Sequence, residues 1–329
     1  MGYIAVIGAG SWGTTLANLL GEKSYDVTLW AYEQELVDEI CRTNINGTYL
    51  PGIPLSLNVN VTSSLQDALK KARYILNVVP TQFVRRVFAD AAGYIRDDAI
   101  IINASKGIEQ GTLKTVSAIF TELTGREAAV LSGPSFADEV IKKMPTAVTL
   151  ASKDREDGLI LQDVFNTDYF RVYTNEDVIG VEIGGALKNV LAIASGISDG
   201  LGLGASARAA LITRGLAEMV RLGCAMGAEE KTFSGLSGIG DLVLTCTGTL
   251  SRNYTVGFKL GSGVKLQEIL DGMKTVAEGV ATSQSAYELS GIYGVDMPIV
   301  QQIYKVVNEG KDPHTAVKEL MTRSLKSEY

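Results

Sequence analysis

A lysine in an apolar, glycine-containing stretch, Glu182-Ile183-Gly184-Gly185-Ala186-Leu187-Lys188-Asn189, is a candidate for acid–base chemistry. Side chains on a helix lean toward its N-terminus, so the Lys188 stem passes over the turn holding Gly184 and Gly185, where two missing side chains leave a pocket. Glycines inside a helix cost about 0.5–1 kcal/mol each relative to alanine, so a use for that space is worth seeking. Two readings stand: a proton-transferring lysine over a pocket, or close helix packing at the glycines with Lys188 snorkelling to water. The first suits reduction of a carbonyl, in which hydride reaches carbon and a proton reaches the developing alkoxide. A lysine supplies that proton when burial and a nearby cation lower its pKa. Lys106, in a loop after a strand, is a candidate for that second cation, or a solvated loop lysine. Asp241, after Gly238 and Gly240, either orients Lys188, accepts a substrate hydroxyl, or caps the apolar stretch Leu242 to Leu244. The one histidine, His314, lies in a polar turn at the start of a last helix and reads as a surface residue.

Other clusters suit anions. Gly8-Ala9-Gly10-Ser11-Trp12-Gly13 places a G-x-G-x-x-G between an apolar strand and a helix. Gly8 permits a tight turn, Gly10 lets a pyrophosphate approach the backbone, and Gly13 lets helix and strand pack closely. The helix start then offers unpaired N–H groups and positive dipole to the phosphates. At the end of the next strand, Leu29-Trp30-Ala31-Tyr32-Glu33, there is neither an acid at the tip nor an arginine beside it. Glu33 either binds a ribose 2′-hydroxyl, which tilts the reading toward NAD, or is a solvated first-turn residue. Ser251-Arg252-Asn253 reads as a capped helix start, and its forked donor also suits a phosphate. Gly133-Pro134-Ser135 is either another cap or part of a substrate wall.

These residues need a scaffold. A length of 329 residues suggests two domains, with room for a cleft. Strands are expected at Tyr3 to Ile7, Val27 to Trp30, Tyr74 to Val79, Ala99 to Asn103, Ala128 to Leu131, Ala147 to Leu150 and Phe170 to Tyr173. Helix-like segments such as Thr14 to Leu20, Gln34 to Cys41, Ser64 to Lys71, Thr115 to Leu123 and Asp157 to Phe165 fall between them. This alternation is that of an α/β, doubly wound, mostly parallel sheet. From about Glu176 helical periodicity takes over, so the boundary is set at Val178, giving domains over 1–178 and 179–329. The second opens with Val181 to Ile197, apolar on nearly every face, as expected of a buried helix. Three scattered cysteines indicate neither a disulfide framework nor a zinc or other metal site. A net charge of −7 argues against a broad nucleic-acid-binding surface. No signal pattern and no uninterrupted apolar run of spanning length is evident, and a cytoplasmic protein is expected.

Seven segments in order, GAGSWGTTLA from Gly8, YLPG from Tyr49, SKGI from Ser105, LSGPSFA from Leu131, EIGGALKN from Glu182, SGIGDLVLTCT from Ser237 and SRN from Ser251, carry a resemblance. Over essentially its whole length the chain resembles the bacterial NAD(P)-dependent glycerol-3-phosphate dehydrogenase family. The resemblance implies a Rossmann domain followed by an all-α domain similar to that of 6-phosphogluconate dehydrogenase, assembled as a homodimer. It implies NAD or NADP as cofactor, dihydroxyacetone phosphate and sn-glycerol 3-phosphate as substrates, and supply of glycerol 3-phosphate to phospholipid synthesis. Lys188 is then the acid/base. Substrate contacts fall at Lys106, Gly133, Ser135, Asp241, Ser251, Arg252 and Asn253. Cofactor contacts fall at Ser11, Trp12, Lys106, Ala137, Arg252, Val276 and Glu278, with Tyr32 and Tyr49. Family members often carry a basic residue near Tyr32, an asparagine at Ser206 and a serine at Gly248, which leaves the choice between NAD and NADP open. The alternatives are a related 3-hydroxy-acid or sugar-acid dehydrogenase, and a dinucleotide-binding sensor without catalysis.

Overall fold

The structure is a computed structural model, and it describes residues 2–273, 276–325 and 327–328. Its first strand, β1 (Tyr3–Ile7), has no polar face. Ile4 and Val6 enter one core layer while Ala5 and Ile7 enter another. A strand covered on both sides reads as a continuous apolar run, as in parallel sheets flanked by helices. β2 (Asp26–Trp30), β3 (Val59–Thr62), β4 (Tyr74–Asn77), β5 (Ile100–Asn103), β6 (Ala128–Ser132), β7 (Thr146–Ala151) and β8 (Phe170–Asn175) complete the sheet, in the order β3-β2-β1-β4-β5-β6-β7-β8. Neighbours are parallel except β6 and β7, where Leu131 opposes Leu150. The chain order reverses between β1 and β4, the place where open α/β sheets bind ligands.

Seven helices connect these strands: α1 (Ser11–Glu22), α2 (Gln34–Thr43), α3 (Leu65–Leu69), α4 (Thr81–Ala89), α5 (Val116–Thr124), α6 (Ala137–Ile141) and α7 (Arg155–Phe165). α1, α2, α6 and α7 send Leu16, Ile40, Val140 and Leu161 into one layer; α3, α4 and α5 send Leu69, Phe88 and Phe120 into the other. The sheet is doubly wound. β3 escaped the sequence reading because only Val59 of its four residues is fully buried.

No strand follows Asn175 among the described residues. α8 (Val178–Gly200), α9 (Gly204–Ala225), α10 (Glu230–Phe233), α11 (Asp241–Thr247), α12 (Arg252–Gly261), α13 (Leu266–Asp271), α14 (Glu278–Ile292), α15 (Pro298–Asn308) and α16 (Pro313–Met321) form the remainder. His314 is exposed in the first turn of α16. α8 is the one helix among the described residues with the length and mean apolarity of a membrane span, although Glu182, Lys188 and Asp199 interrupt its apolar run. Of its most apolar window, 94% is buried inside the protein.

The chain forms two compact units. One runs up to Lys106 and resumes over Lys114–Glu182; the other comprises Gly107–Leu113 and the chain from Ile183. Gly107–Leu113 is tied to α14 by the Ser285 hydroxyl, which donates to the Ile108 carbonyl at 3.2 Å, and by Gln110, which donates to Gln284 at 2.9 Å.

Within the helical unit α8 and α12 cross with their backbones touching. A Cβ on Gly257 would lie 2.0 Å from the Ile193 carbonyl oxygen, and one on Gly196 would lie 2.1 Å from that of Tyr254. Gly257→Ala is therefore expected to lower the unfolding free energy by more than about 2 kcal/mol, because backbone and not a flexible side chain must give way. Gly291 of α14, whose Cβ would meet nothing within 4 Å, is the control. Gly291→Ala should be neutral or stabilising by up to about 1 kcal/mol. Urea denaturation of both variants checks the pair, and equal effects would contradict the tight crossing.

Buried Glu218 of α9 caps α15: the amides of Ile299 and Val300 donate to its two carboxylate oxygens at 2.8 and 3.1 Å. Burial outweighs these donors and raises its pKa from 4.5 to about 7. The proton is thus held more tightly folded than unfolded. The associated stabilisation is complete below pH 4.5 and is lost as pH rises through about 7. The advantage of the wild type over Glu218→Gln in urea should shrink across that range by up to roughly 3 kcal/mol. A pH-independent difference would contradict this.

Candidate active site

The glycine turn after β1 shows why each glycine is there. Gly8 has φ +117°, and a Cβ on it would sit 2.8 Å from the Val78 carbonyl oxygen; one on Gly13 would sit 1.9 Å from the Gly8 oxygen. Protein packing fixes both. A Cβ on Gly10 would meet nothing within 4 Å, so its bareness serves no internal contact. Gly10 is the N-cap of α1, without a side-chain cap and with no acid in the first turn. The first N–H groups of the helix have no partner within it. An open, positively polarised backbone of this kind fits the diphosphate of NAD(P).

Asn46 supports this turn. Its amide donates to the Ala9 carbonyl at 2.9 Å and to the Thr14 hydroxyl at 2.8 Å, and its oxygen accepts the Tyr49 N–H at 3.0 Å. The Ser11 hydroxyl donates to the Tyr49 carbonyl at 2.7 Å. Ser11 and Tyr49 are thereby brought together, while Trp12 packs on the core near Phe170. Ala137 begins α6, and its carbonyl accepts from Thr15 of α1 at 3.4 Å. Tyr32 stands apart, 69% exposed. Glu33 is the N-cap of α2, and its charge adds to burial in raising the Tyr49 phenol.

The carboxyl ends of β4 and β5 carry a buried polar network. Asn77 donates to Asn103 at 2.9 Å and to Ser105 at 3.1 Å, and Asn103 donates to Glu182 at 3.3 Å. Glu182 also accepts the Ser117 N–H at 2.9 Å and the Ser117 hydroxyl; complete burial still raises its pKa, against these donors. The network shapes the loop of Lys106, whose ammonium donates to the Gly133 carbonyl at 3.0 Å. The Ser135 hydroxyl donates to the same oxygen at 3.1 Å. Lys106, Gly133 and Ser135 thus share one corner. Ser135 is not a cap: the N-cap of α6 is Phe136, and it has no side-chain cap bond.

In the helical unit Lys188 is 8% exposed and does not snorkel. It donates to Asp241 at 2.5 Å and to the Thr245 hydroxyl at 2.9 Å, and Thr245 donates to the same Asp241 oxygen at 3.1 Å. Two expectations are corrected here. The space over Gly184 is filled, since a Cβ there would lie 2.4 Å from the Ser237 carbonyl oxygen. Asp241 is not the N-cap of α11, a position held by Gly240; its carboxylate is committed to Lys188 and Thr245. The charge bonded to Lys188 within this unit is an anion rather than a cation. Beside the pair, burial pushes the Cys246 thiol up to about 12, so it is no nucleophile.

Ser251 caps α12 by accepting the Tyr254 N–H at 3.2 Å, and Arg252 is exposed in its first turn. The Asn253 amide donates to Asn189 at 2.9 Å and accepts the Gly279 N–H at 2.9 Å, tying α8, α12 and the start of α14 together. Glu278 is the first residue of α14, after the N-cap Ala277, and Val276 before that cap is exposed. Asn46, Asn77, Asn103, Asn189 and Thr245 were not singled out from the sequence.

A doubly wound sheet with a diphosphate-ready turn, continued into a helical unit built around a buried lysine–aspartate pair, defines a nicotinamide-dinucleotide-dependent oxidoreductase. Comparison with known proteins narrows this class. The profile of the NAD-dependent glycerol-3-phosphate dehydrogenase N-terminus matches residues 3–157, and that of the C-terminus matches residues 177–318. The glycerol-3-phosphate dehydrogenase, NAD(P)+, of Geobacter sulfurreducens is 57% identical over 329 residues, covering 99% of this chain and 98% of its own. That of Citrifermentans bemidjiense is 56% identical with the same coverage. The crystal structure of glycerol-3-phosphate dehydrogenase from Coxiella burnetii superposes with a TM-score of 0.95 at 41% identity, over 98% of this chain and 99% of that one. The chain belongs to the NAD-dependent glycerol-3-phosphate dehydrogenase family.

Asn46→Ala should remove the amide that donates to the Ala9 carbonyl and to the Thr14 hydroxyl, leaving the Thr14 hydroxyl as the side-chain donor to Ala9, and should take from the Tyr49 N–H its side-chain acceptor. The expected cost is about 1–3 kcal/mol of stability, together with weaker NAD(P)H binding. Urea denaturation and nucleotide titration monitored by tryptophan fluorescence test this; unchanged binding would remove Asn46 as a support of the turn.

Proposed function

We propose that the chain catalyses the reversible reduction of dihydroxyacetone phosphate to sn-glycerol 3-phosphate with NADH or NADPH. The buried Lys188–Asp241–Thr245 cluster carries this reading, in a chain whose full-length relatives bear the name of that enzyme. The bound nicotinamide supplies hydride to the C2 carbon. Lys188 as an ammonium gives a proton to the C2 oxygen as negative charge develops there, and takes a proton back from solvent to close the cycle. Asp241 and Thr245 fix the direction of its Nζ, and the carboxylate offsets part of the cost of holding the charge out of water. Arg252, a forked cation at a helix start, receives the substrate phosphate, and Lys106, Gly133 and Ser135 are further substrate contacts. Ser251 and Asn253 hold Arg252 in place. The glycine turn, Ser11, Trp12, Tyr49 and Ala137 hold the dinucleotide, joined by Val276 and Glu278. Residues 1–178 serve as the cofactor domain and residues 179–329 as the substrate domain.

The protein works as a homodimer in the cytoplasm and supplies glycerol 3-phosphate to phospholipid synthesis. Sedimentation equilibrium tests the dimer: a mass of two subunits is expected, and a mass of one subunit would overturn it.

The central test is oxidation of NADH or NADPH on addition of dihydroxyacetone phosphate. Lys188→Ala should lower kcat by about 10²–10⁴ while nucleotide binding is retained. Near wild-type turnover in that variant removes Lys188 from the mechanism, and turnover only of unphosphorylated ketones removes the triose phosphate.

A further inference from the structure

The strand tip that reads the adenosine ribose in doubly wound dinucleotide folds is the end of β2, where an acid selects NAD and a nearby arginine accepts the 2′-phosphate of NADP. In the sequence there is no arginine beside Tyr32. The fold brings one from another element. Arg86 of α4 stands over the Tyr32 ring at 5.9 Å from its centroid and over the Phe83 ring at 5.5 Å. β2, β1 and β4 are neighbours in the sheet, and Tyr32, the glycine turn and the start of α4 follow their carboxyl ends in that order.

Three observations set Arg86 apart. Its neighbour Arg85 is committed, with two bonds to Glu122 at 2.8 and 3.0 Å. Among the described residues no carboxylate pairs with Arg86; what holds it is two aromatic faces, and such contacts leave the guanidinium N–H donors available. All three members are exposed, Tyr32 by 69% and Phe83 by 42%, as a receiving surface must be. Glu33, next to Tyr32, forms no ion pair with Arg86 among the described residues, and its charge acts on Tyr49.

We infer that Arg86, steadied over Tyr32 and Phe83, receives the 2′-phosphate of NADP, while Glu33 is left to the 2′-hydroxyl of NAD. A basic group supplied from α4 thus replaces one at the strand tip. The inference rests on the glycine turn being the dinucleotide site.

Calorimetric titration with NADP+, NAD+ and the fragments 2′,5′-ADP and 5′-AMP tests it without turnover. Arg86→Gln should weaken NADP+ and 2′,5′-ADP by about tenfold or more and leave NAD+ and 5′-AMP within about twofold, with an unchanged melting temperature. Arg86→Lys, which keeps the charge, should recover part of the loss. Equal weakening of all four ligands, or of none, overturns the assignment while leaving the dinucleotide site standing. Failure of the wild type to bind any of them overturns the dinucleotide reading and this inference together.

Discussion

An ammonium taken out of water costs several kcal/mol unless an opposite charge and well-placed hydrogen bonds replace the lost hydration. Lys188, 8% exposed, meets that demand with the Asp241 carboxylate at 2.5 Å and the Thr245 hydroxyl at 2.9 Å. Apolar side chains of the same volume would meet it at least as well for stability alone, so a buried pair of this kind points to chemistry rather than to folding. The rest of the helical unit follows from keeping it in register. α11 must begin at Asp241 so that Thr245 falls one turn on, and the Leu236–Gly240 turn must abut α8 closely enough to set that start.

Contact between backbones achieves this. Gly184 admits the Ser237 carbonyl, and Gly196 and Gly257 let α8 and α12 touch. In the sheet unit Gly13 admits the Gly8 carbonyl, and Asn46 ties the same turn to the loop that bears Tyr49. Both units thus position their functional groups with small residues and with amides satisfied inside the protein. This contact is less tolerant than side-chain packing because peptide groups have no rotamers to adjust.

Much of this was legible in the sequence. The strands buried on both faces stood out as β-branched runs, and the G-x-G-x-x-G fell at the head of α1. Lys188 and Asp241 were recognised because charged residues among apolar and glycine-rich neighbours are conspicuous. β3 was not, because a sheet-edge strand with one buried valine lacks the apolar run that marks its neighbours. Thr245 lies just past the apolar stretch Leu242 to Leu244, and nothing in its local setting marks it as a partner of Lys188. Asn46, Asn77 and Asn103 find partners 37, 26 and 79 positions away, at Ala9, Asn103 and Glu182, and no local pattern encodes such pairings. Arg86 was invisible for the same reason, since only the sheet order brings α4 beside the end of β2. The pocket expected over Gly184 was the clearest misreading: spacing reports a missing side chain, but not which peptide comes to fill the gap.

The polypeptide changes units at Lys106, at Lys114 and at Glu182. Dissecting it at a single point therefore yields no self-sufficient half. A fragment ending at Glu182 would carry Gly107–Leu113 stripped of the α14 groups that bond Ile108 and Gln110, and the complementary fragment would expose the hydroxyl of Ser285 with no acceptor. Only a gene in which that heptapeptide is spliced onto the helical half could deliver that portion intact.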